Sequence, residues 1–222
     1  MCPDMLRSVH IGQLEELKID FERPLASIVE DLEKYEILLH KWQNIQNLVS
    51  RETLNEIWHR HFYDSLQLFG HIKSDDLVIV DFGSGGGFPI IPIAIASTPG
   101  MRTCYLVESN KRKASFLRTV SRELGLKLHI HDGRAEEFTL PASVKVDVIT
   151  SRATSALDNL LGFSYPLWND TTRALFHKGA EFGAELCKAR ANWQFDMVSI
   201  PSKTNSSSVI LDISCLERLQ VV

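Results

Sequence analysis

The sequence predicts an α/β fold: a mostly parallel seven-stranded sheet with an antiparallel edge hairpin, preceded by a helical extension. Three observations carry this prediction. Past Gly70, short apolar runs alternate with helical segments, and strand–helix alternation at that spacing builds a parallel sheet covered on both faces. The run Leu77-Val78-Ile79-Val80-Asp81-Phe82 passes directly into Gly83-Ser84-Gly85-Gly86-Gly87-Phe88-Pro89, which reads as a fully buried strand ending in a glycine turn and a helix. Before Gly70 the apolar residues recur every three or four positions instead, the period of helices that bury one face.

Taken in order, Ile11, Leu14 and Leu17 predict a short helix over 8–18. Pro24 suits the first turn of a second helix, whose Leu25, Ile28, Val29, Leu32, Leu39 and Trp42 keep one face apolar. Residues 44–51 break the pattern and read as a loop with a cap at Ser50, in which Asn44 and Asn47 serve as turn formers or ligand contacts. A third helix is marked by Ile57, Trp58, Phe62, Leu66 and Phe69, with His59, Arg60, His61, Asp64 and Ser65 on its polar side. Strands follow near 77–82, 103–107, 127–131, 146–150, 173–177, 194–200 and 208–213, and helices near 89–97, 111–124, 155–167 and 180–190. Only the polar linker 201–208 separates the last two strands, which suits a terminal hairpin. The predicted organisation is a helical extension over residues 1–70 packed on a domain spanning 71–222.

Composition narrows the function. Of the 222 residues, 44% are apolar and 23% charged, ordinary values for a water-soluble protein. No apolar run reaches the roughly 18 residues of a membrane span, and the first residues lack a secretory pattern, so a cytoplasmic protein is expected. Cys2, Cys104, Cys187 and Cys215 are too scattered for a metal site or a disulfide scaffold, and no metal is expected. Residues 1–40 hold nine acidic and four basic side chains, whereas 41–222 hold nineteen and twenty. The acidity is thus N-terminal, and the remainder is free to present a basic face to RNA.

The glycine cluster carries the chemistry. Glycines at a strand's carboxyl end let a ligand approach without meeting a Cβ, and the following helix offers unpaired N–H groups. A dinucleotide fingerprint needs a third glycine where Phe88 stands, which argues against an NAD-dependent dehydrogenase. The form Gly83-x-Gly85-x-Gly87 fits a sulfonium-type nucleoside better. Glu108, ending the second strand, is placed to accept hydrogen bonds from ribose hydroxyls. Lys111, Arg112 and Lys113 sit in the next helix's first turn, where positive charge opposes the helix dipole and marks either contact with an anionic partner or a simple surface cluster. Asp132-Gly133-Arg134-Ala135-Glu136-Glu137 suits the clasping of an adenine edge, and Arg152 ends the fourth strand in the same crevice. No Ser-His-Asp or paired-carboxylate constellation accompanies these residues.

The chain resembles the ribosomal RNA small-subunit methyltransferase G family, also called glucose-inhibited division protein B. The matching pieces are Trp42…Asn47-Leu48, Arg60-His61-Phe62-Tyr63-Asp64-Ser65-Leu66, the glycine cluster from Asp81 to Pro89, and Val107-Glu108-Ser109-Asn110-Lys111-Arg112-Lys113. Gly133-Arg134-Ala135-Glu136-Glu137, Thr150-Ser151-Arg152-Ala153 and Lys178-Gly179 complete the set, in family order. The resemblance implies a Rossmann-like class I methyltransferase fold, S-adenosyl-L-methionine as cofactor, and methylation of guanine N7 in 16S rRNA or the small ribosomal subunit; a monomer is expected. It also implies Gly83, Phe88, Ala135, Glu136 and Arg152 as cofactor-binding residues, beside Gly85 and Glu108. Arg60, His61 and Arg152 are the candidates for holding the substrate, and no catalytic residue is expected, since N7 carries no proton. A methyltransferase of another substrate and a non-catalytic RNA-binding module are the competing readings. The chain departs from the family pattern at Ile90, where a further glycine is usual, and in lacking a basic tail.

Overall fold

The computed structural model describes residues 3–152 and 155–219. Helices α1 (Pro3–Glu16) and α2 (Leu25–Gln43) come first, α2 beginning directly after Pro24 as a fixed φ at a helix start favours. The Ser50 hydroxyl caps the short α3 (Arg51–Leu54) by accepting from the Thr53 amide at 3.3 Å. The third expected helix is present with a winding that changes twice. Wide π turns run over Trp58–Tyr63, then a single α turn, α4 (Asp64–Leu66), then a tight 3₁₀ stretch over Gln67–His71. That winding shifts the expected polar side: His59 and Arg60 are exposed, whereas His61 and Ser65 turn inward and are buried.

The strand–helix alternation then appears: β1 (Val78–Phe82), α5 (Ile90–Ala96), β2 (Thr103–Glu108), α6 (Lys111–Glu123) and β3 (Leu128–Asp132). After a 3₁₀ turn at Ala135–Glu137 come β4 (Val148–Arg152), α7 (Leu157–Ser164), β5 (Arg173–Lys178), α8 (Phe182–Ala189), β6 (Trp193–Pro201) and β7 (Val209–Arg218). Sheet order is β3-β2-β1-β4-β5-β7-β6. Strands β1 to β5 pair in parallel, and β7 runs antiparallel between β5 and β6. The hairpin is therefore at the edge, with its later strand inside. Strand β7 also runs past the expected end at 213, because Cys215, at φ 54, bulges and shifts the register opposite Gln194 and Asp196. The extra residue puts buried Ile213 and Leu216 three apart, which disguises the period of two.

Two apolar clusters sandwich the sheet. On one face, Ile28, Val29, Leu32 and Leu39 of α2 pack with Ile79, Leu106 and Leu175 and with Phe116 of α6, so the N-terminal helices and the sheet share one core. On the other, Val80, Phe82, Ile149 and Phe176 meet Leu157, Leu160 and Leu161 of α7. Each such side chain contributes about 1.5–3 kcal/mol when buried. Cys104 is buried among them, as expected of a small core residue, and Ile90 is fully buried there too. The Arg102–Glu22 ion pair, at 2.6 Å, ties the helical layer to the sheet.

Candidate functional site

Neighbouring crossovers on opposite sides of β1 leave a crevice above its carboxyl end, where ligands bind in open α/β sheets. The glycine turn forms its floor. Gly83, Gly85 and Gly87 have φ of 69, 55 and 95, values that side chains rarely adopt. The Gly83 and Ser84 amides donate to the Val107 carbonyl at 2.9 and 3.2 Å, so the turn is pinned to β2. Glu108 pins it again: Oε2 accepts from the Gly85 amide at 2.8 Å and Oε1 from the Asn110 amide at 2.7 Å. From the helical layer, the fully buried Tyr35 hydroxyl donates to the Gly86 carbonyl.

Below the turn lies Asp81, fully buried. The Thr150 hydroxyl donates to its Oδ1 at 2.7 Å, and Oδ2 has no hydrogen-bond partner. Burial pushes this carboxyl up to about 7, against the pull of Ser84, Thr150 and Arg152.

The cleft above encloses ≈ 870 Å³, enough for a cofactor and part of a second ligand. Its other half lies over β4 and β5 and is organised around Arg152. That guanidinium donates to His61 Nδ1 at 2.6 Å, to the Arg60 carbonyl at 3.1 Å and to Asp64 Oδ2 at 3.3 Å, and it lies 4.9 Å over the Phe88 ring. His61 Nδ1 accepts that bond, so its proton is on Nε2 and goes to the Thr53 hydroxyl at 2.9 Å. Burial, reinforced by Arg152, pushes His61 down to about 3 and keeps it neutral. Burial opposes the Asp64 charge, but His177, the Thr204 hydroxyl and Arg152 together hold its carboxyl below the ordinary value. At the far wall, Lys178 donates to Glu185 at 2.8 Å and to the Ser155 carbonyl at 2.6 Å. Glu185 in turn accepts from the Leu157 amide at 2.7 Å, standing in for the absent side-chain cap of α7.

Seven of the sequence-derived candidates line this one cleft: Gly83, Gly85, Phe88, Glu108, Arg60, His61 and Arg152. Ala135 and Glu136 lie outside its wall, on the 3₁₀ turn after β3, with Ala135 half-buried and Glu136 exposed. Lys113 lines the cleft, whereas Asn47 borders a depression beside it. Sequence reasoning missed His177, Glu185 and Thr204 in the wall and Tyr35 beneath the turn, and it left Asp64 without a role. Tyr35 interrupts the apolar stripe of α2 with a hydroxyl that needs a partner, which is the one signal that pointed to it. Among the described residues, no group of three His, Cys, Asp or Glu side chains is placed to hold a metal ion, and no helix is long and apolar enough to cross a membrane.

The family model for rRNA small subunit methyltransferase G, GidB, matches residues 28–210. The chain is 41% identical over 194 residues to the ribosomal RNA small subunit methyltransferase G of Rhizobium johnstonii, a match covering 86% of this chain and 93% of that one. Its identity to the protein of the same name from Bartonella quintana is 42% over 187 residues, covering 84% and 86%. Among solved structures, a SAM-dependent methyltransferase from Aquifex aeolicus superposes with a TM-score of 0.57 at 15% identity, over 77% of this chain and 97% of that one. At such identity the likeness is one of fold.

Proposed function

The chain belongs to the rRNA small subunit methyltransferase G family and is a S-adenosylmethionine-dependent methyltransferase of small-subunit rRNA; on that premise we propose that it methylates N7 of a guanine in 16S rRNA. The glycine turn holds the cofactor in this reading, and the half of the cleft over β4 and β5 receives the base. The residues present fit the cofactor. At Gly85 an added Cβ would have no neighbour nearer than 3.7 Å, so the space beside the bare backbone is open. Glu108 stands next to it with lone pairs beyond those its two amides use, as ribose hydroxyls require. Ala135 and Glu136, at the same edge of the sheet, would close the adenine end.

Bound there, S-adenosylmethionine supplies an electrophilic methyl group on a positively charged sulfur. What favours N7 as the acceptor is that each titratable group described over Arg152 is engaged, held ionised or enclosed. Both His61 nitrogens are engaged, and its ring stays neutral because burial lowers its affinity for a proton. Asp64 is held below the ordinary carboxylate value and is a poor base. His177 keeps an unpartnered Nδ1, but that atom is buried, burial lowers the ring's affinity for a proton, and Nε2 is committed to the Asp64 carbonyl at 2.9 Å. N7 of guanine is an exposed lone pair that needs no deprotonation. The work left to the protein is orientation, worth as much as roughly 7–11 kcal/mol when reacting atoms are well aligned. Arg152, braced by Asp64, His61 and the Phe88 ring, is positioned to fix the incoming nucleotide, with Arg60 at the exposed rim.

The test is methyl transfer from labelled S-adenosylmethionine into small subunits, deproteinised 16S rRNA and guanosine, followed by chemical mapping of N7-methylguanine. One labelled guanine in ribosomal substrate is expected; label at any other atom overturns the N7 reading. Glu108→Ala should weaken S-adenosylhomocysteine binding about 10-fold or more by calorimetry, since it removes a charge-assisted acceptor. Unchanged affinity would remove Glu108 from the cofactor site.

A further inference from the structure

Cofactor binding leaves Asp64 unexplained. A carboxylate is out of place where a polyanionic RNA must enter, yet Asp64 lines the cleft, keeps 15% of its side chain exposed and is held ionised. Its two oxygens differ. Oδ1 is occupied, accepting from Gln67 Nε2 at 2.9 Å and from the Thr204 hydroxyl at 2.6 Å. Oδ2 receives one long bond from Arg152 Nη1 at 3.3 Å and lies 3.8 Å from His177 Nε2, whose proton goes to the Asp64 carbonyl. A carboxylate oxygen has capacity for more, and Oδ2 is the under-used one.

Position then identifies what it would accept. Asp64 is held over β4 and β5 through Arg152 and His177, whereas the glycine turn and Glu108 belong to β1 and β2. On guanine the Watson–Crick edge adjoins the N7 edge at O6, so a base that turns N7 toward the cofactor half presents its Watson–Crick edge to the cleft wall alongside, where Asp64 stands. Enzymes that act on an extruded base read it by that edge. On guanine the edge carries the N1–H and N2 amino donors, which a carboxylate oxygen with spare lone pairs accepts. Adenine presents a bare ring nitrogen there, which would set one lone pair against another.

We propose that Asp64 Oδ2 accepts hydrogen bonds from the Watson–Crick edge of the target guanine and makes this enzyme specific for guanine. The inference rests on the N7 reading above and adds the residue that selects the base. A site built to bond a donor rejects analogues that lack it.

The test uses small subunits reconstituted with 16S rRNA carrying inosine at the mapped position, since inosine keeps N7 and N1–H but lacks the N2 amino group. Wild-type enzyme should lose roughly 10- to 100-fold in kcat/KM on inosine, the range for a hydrogen bond to a charged group. In Asp64→Asn that discrimination should shrink at least about fivefold, with S-adenosylhomocysteine affinity kept. Because Asp64 also braces Thr204, Thr204→Val serves as the second variant. It loosens the same corner but keeps the carboxylate, and its guanosine-to-inosine ratio should match wild type. The ratio is insensitive to a general loss of rate, so a merely structural Asp64 would leave it unmoved. Equal wild-type rates on guanosine and inosine, or an unchanged ratio in Asp64→Asn, overturn the proposal. Absence of N7-methylguanine in guanosine-bearing subunits overturns the N7 reading itself and this inference with it.

Discussion

Gly87→Ala tests the geometry on which the cofactor floor depends. Gly87 sits at φ 95, and a Cβ there would lie 2.5 Å from the Tyr35 hydroxyl oxygen and 2.9 Å from Ile91 Cγ1, with Ile91 Cδ1 nearer still. Neither neighbour can retreat: Tyr35 and Ile91 are both fully buried, and the Tyr35 hydroxyl is committed to the Gly86 carbonyl. Tyr35 is also packed against Phe62, Phe88 and Phe116, with ring centroids 5.5, 5.6 and 6.3 Å away. Left-handed backbone on a non-glycine residue costs about 1–3 kcal/mol, and forcing a methyl into a packed core about the same again. The sum, about 2–6 kcal/mol, is a large part of the ~5–15 kcal/mol that holds a domain folded. At this chain length each kcal/mol moves the thermal midpoint by roughly 2–4 °C, so a fall of at least about 4 °C is expected by calorimetry. The measurement belongs on ligand-free protein at fixed concentration, because bound S-adenosylhomocysteine raises the midpoint by mass action. A midpoint within about 1 °C of wild type would mean that the wall formed by Tyr35 and Ile91 is loose, and the argument for a rigid floor would fail.

Three further outcomes follow from the same site. Gly85→Ala meets nothing nearer than the Gly83 carbonyl at 3.7 Å, so its stability cost should be the backbone strain alone, about 1–2 kcal/mol. Its methyl occupies ligand space, and S-adenosylhomocysteine affinity should fall about 10-fold by calorimetry, an effect of similar size to Glu108→Ala; retained affinity would place the cofactor elsewhere. Tyr35→Phe leaves the buried Gly86 carbonyl without its donor and should cost about 1–3 kcal/mol in urea unfolding with the aromatic packing intact; a cost below about 0.5 kcal/mol would show that the carbonyl finds another partner. Asp81→Asn should change the pH dependence of stability. The Asp81 pKa is raised in the fold to about 7, so its contribution is full below the unfolded value and is lost as pH rises through 7, on the order of 4 kcal/mol in all. His61 runs the other way: its pKa is lowered to about 3, so its contribution is full above the unfolded value of 6.5 and is lost as pH falls toward 3. Between roughly pH 4 and 6.5 the two slopes oppose each other, and Asp81→Asn should expose the rising one in denaturant titrations; an unchanged slope would show that Asp81 ionises normally.

How much of this was readable in advance depended on how local each signal was. The first strand and its turn were legible because β-branched residues followed by alternating glycines make a short-range code: burial on two faces, then positive φ. The end of the second strand was legible for the same reason, with Glu108 two residues before the Asn110 cap of α6. The helix over 57–69 was legible as a helix but not in its phase. Sequence periodicity assumes 3.6 residues per turn, and the π turns at Trp58–Tyr63 followed by 3₁₀ turns violate it in both directions. Ser65, expected beside solvent, is therefore buried, and His61 faces Arg152. In β7 a bulge at Cys215 did to the period of two what the π turns did to the helix.

Beyond the strand ends that carry Arg152 and Lys178, the half-cleft over β4 and β5 has little local code. What the sequence must specify there is the relative placement of distant groups. The bonds that do this join Asp81 to Thr150 across 69 positions, His61 to Arg152 across 91, and Asp64 to Thr204 across 140. Each pairing is set by strand order: placing β4 beside β1 and β5 beside β4 brings Arg152 and His177 side by side at one edge. The helical layer then lowers Asp64 onto both, and the β6–β7 loop closes on it with Thr204. Arg152 and Asp64 are thus held as a pair whose hydrogen bond, at 3.3 Å, leaves Asp64 Oδ2 with acceptor capacity toward the cleft's contents.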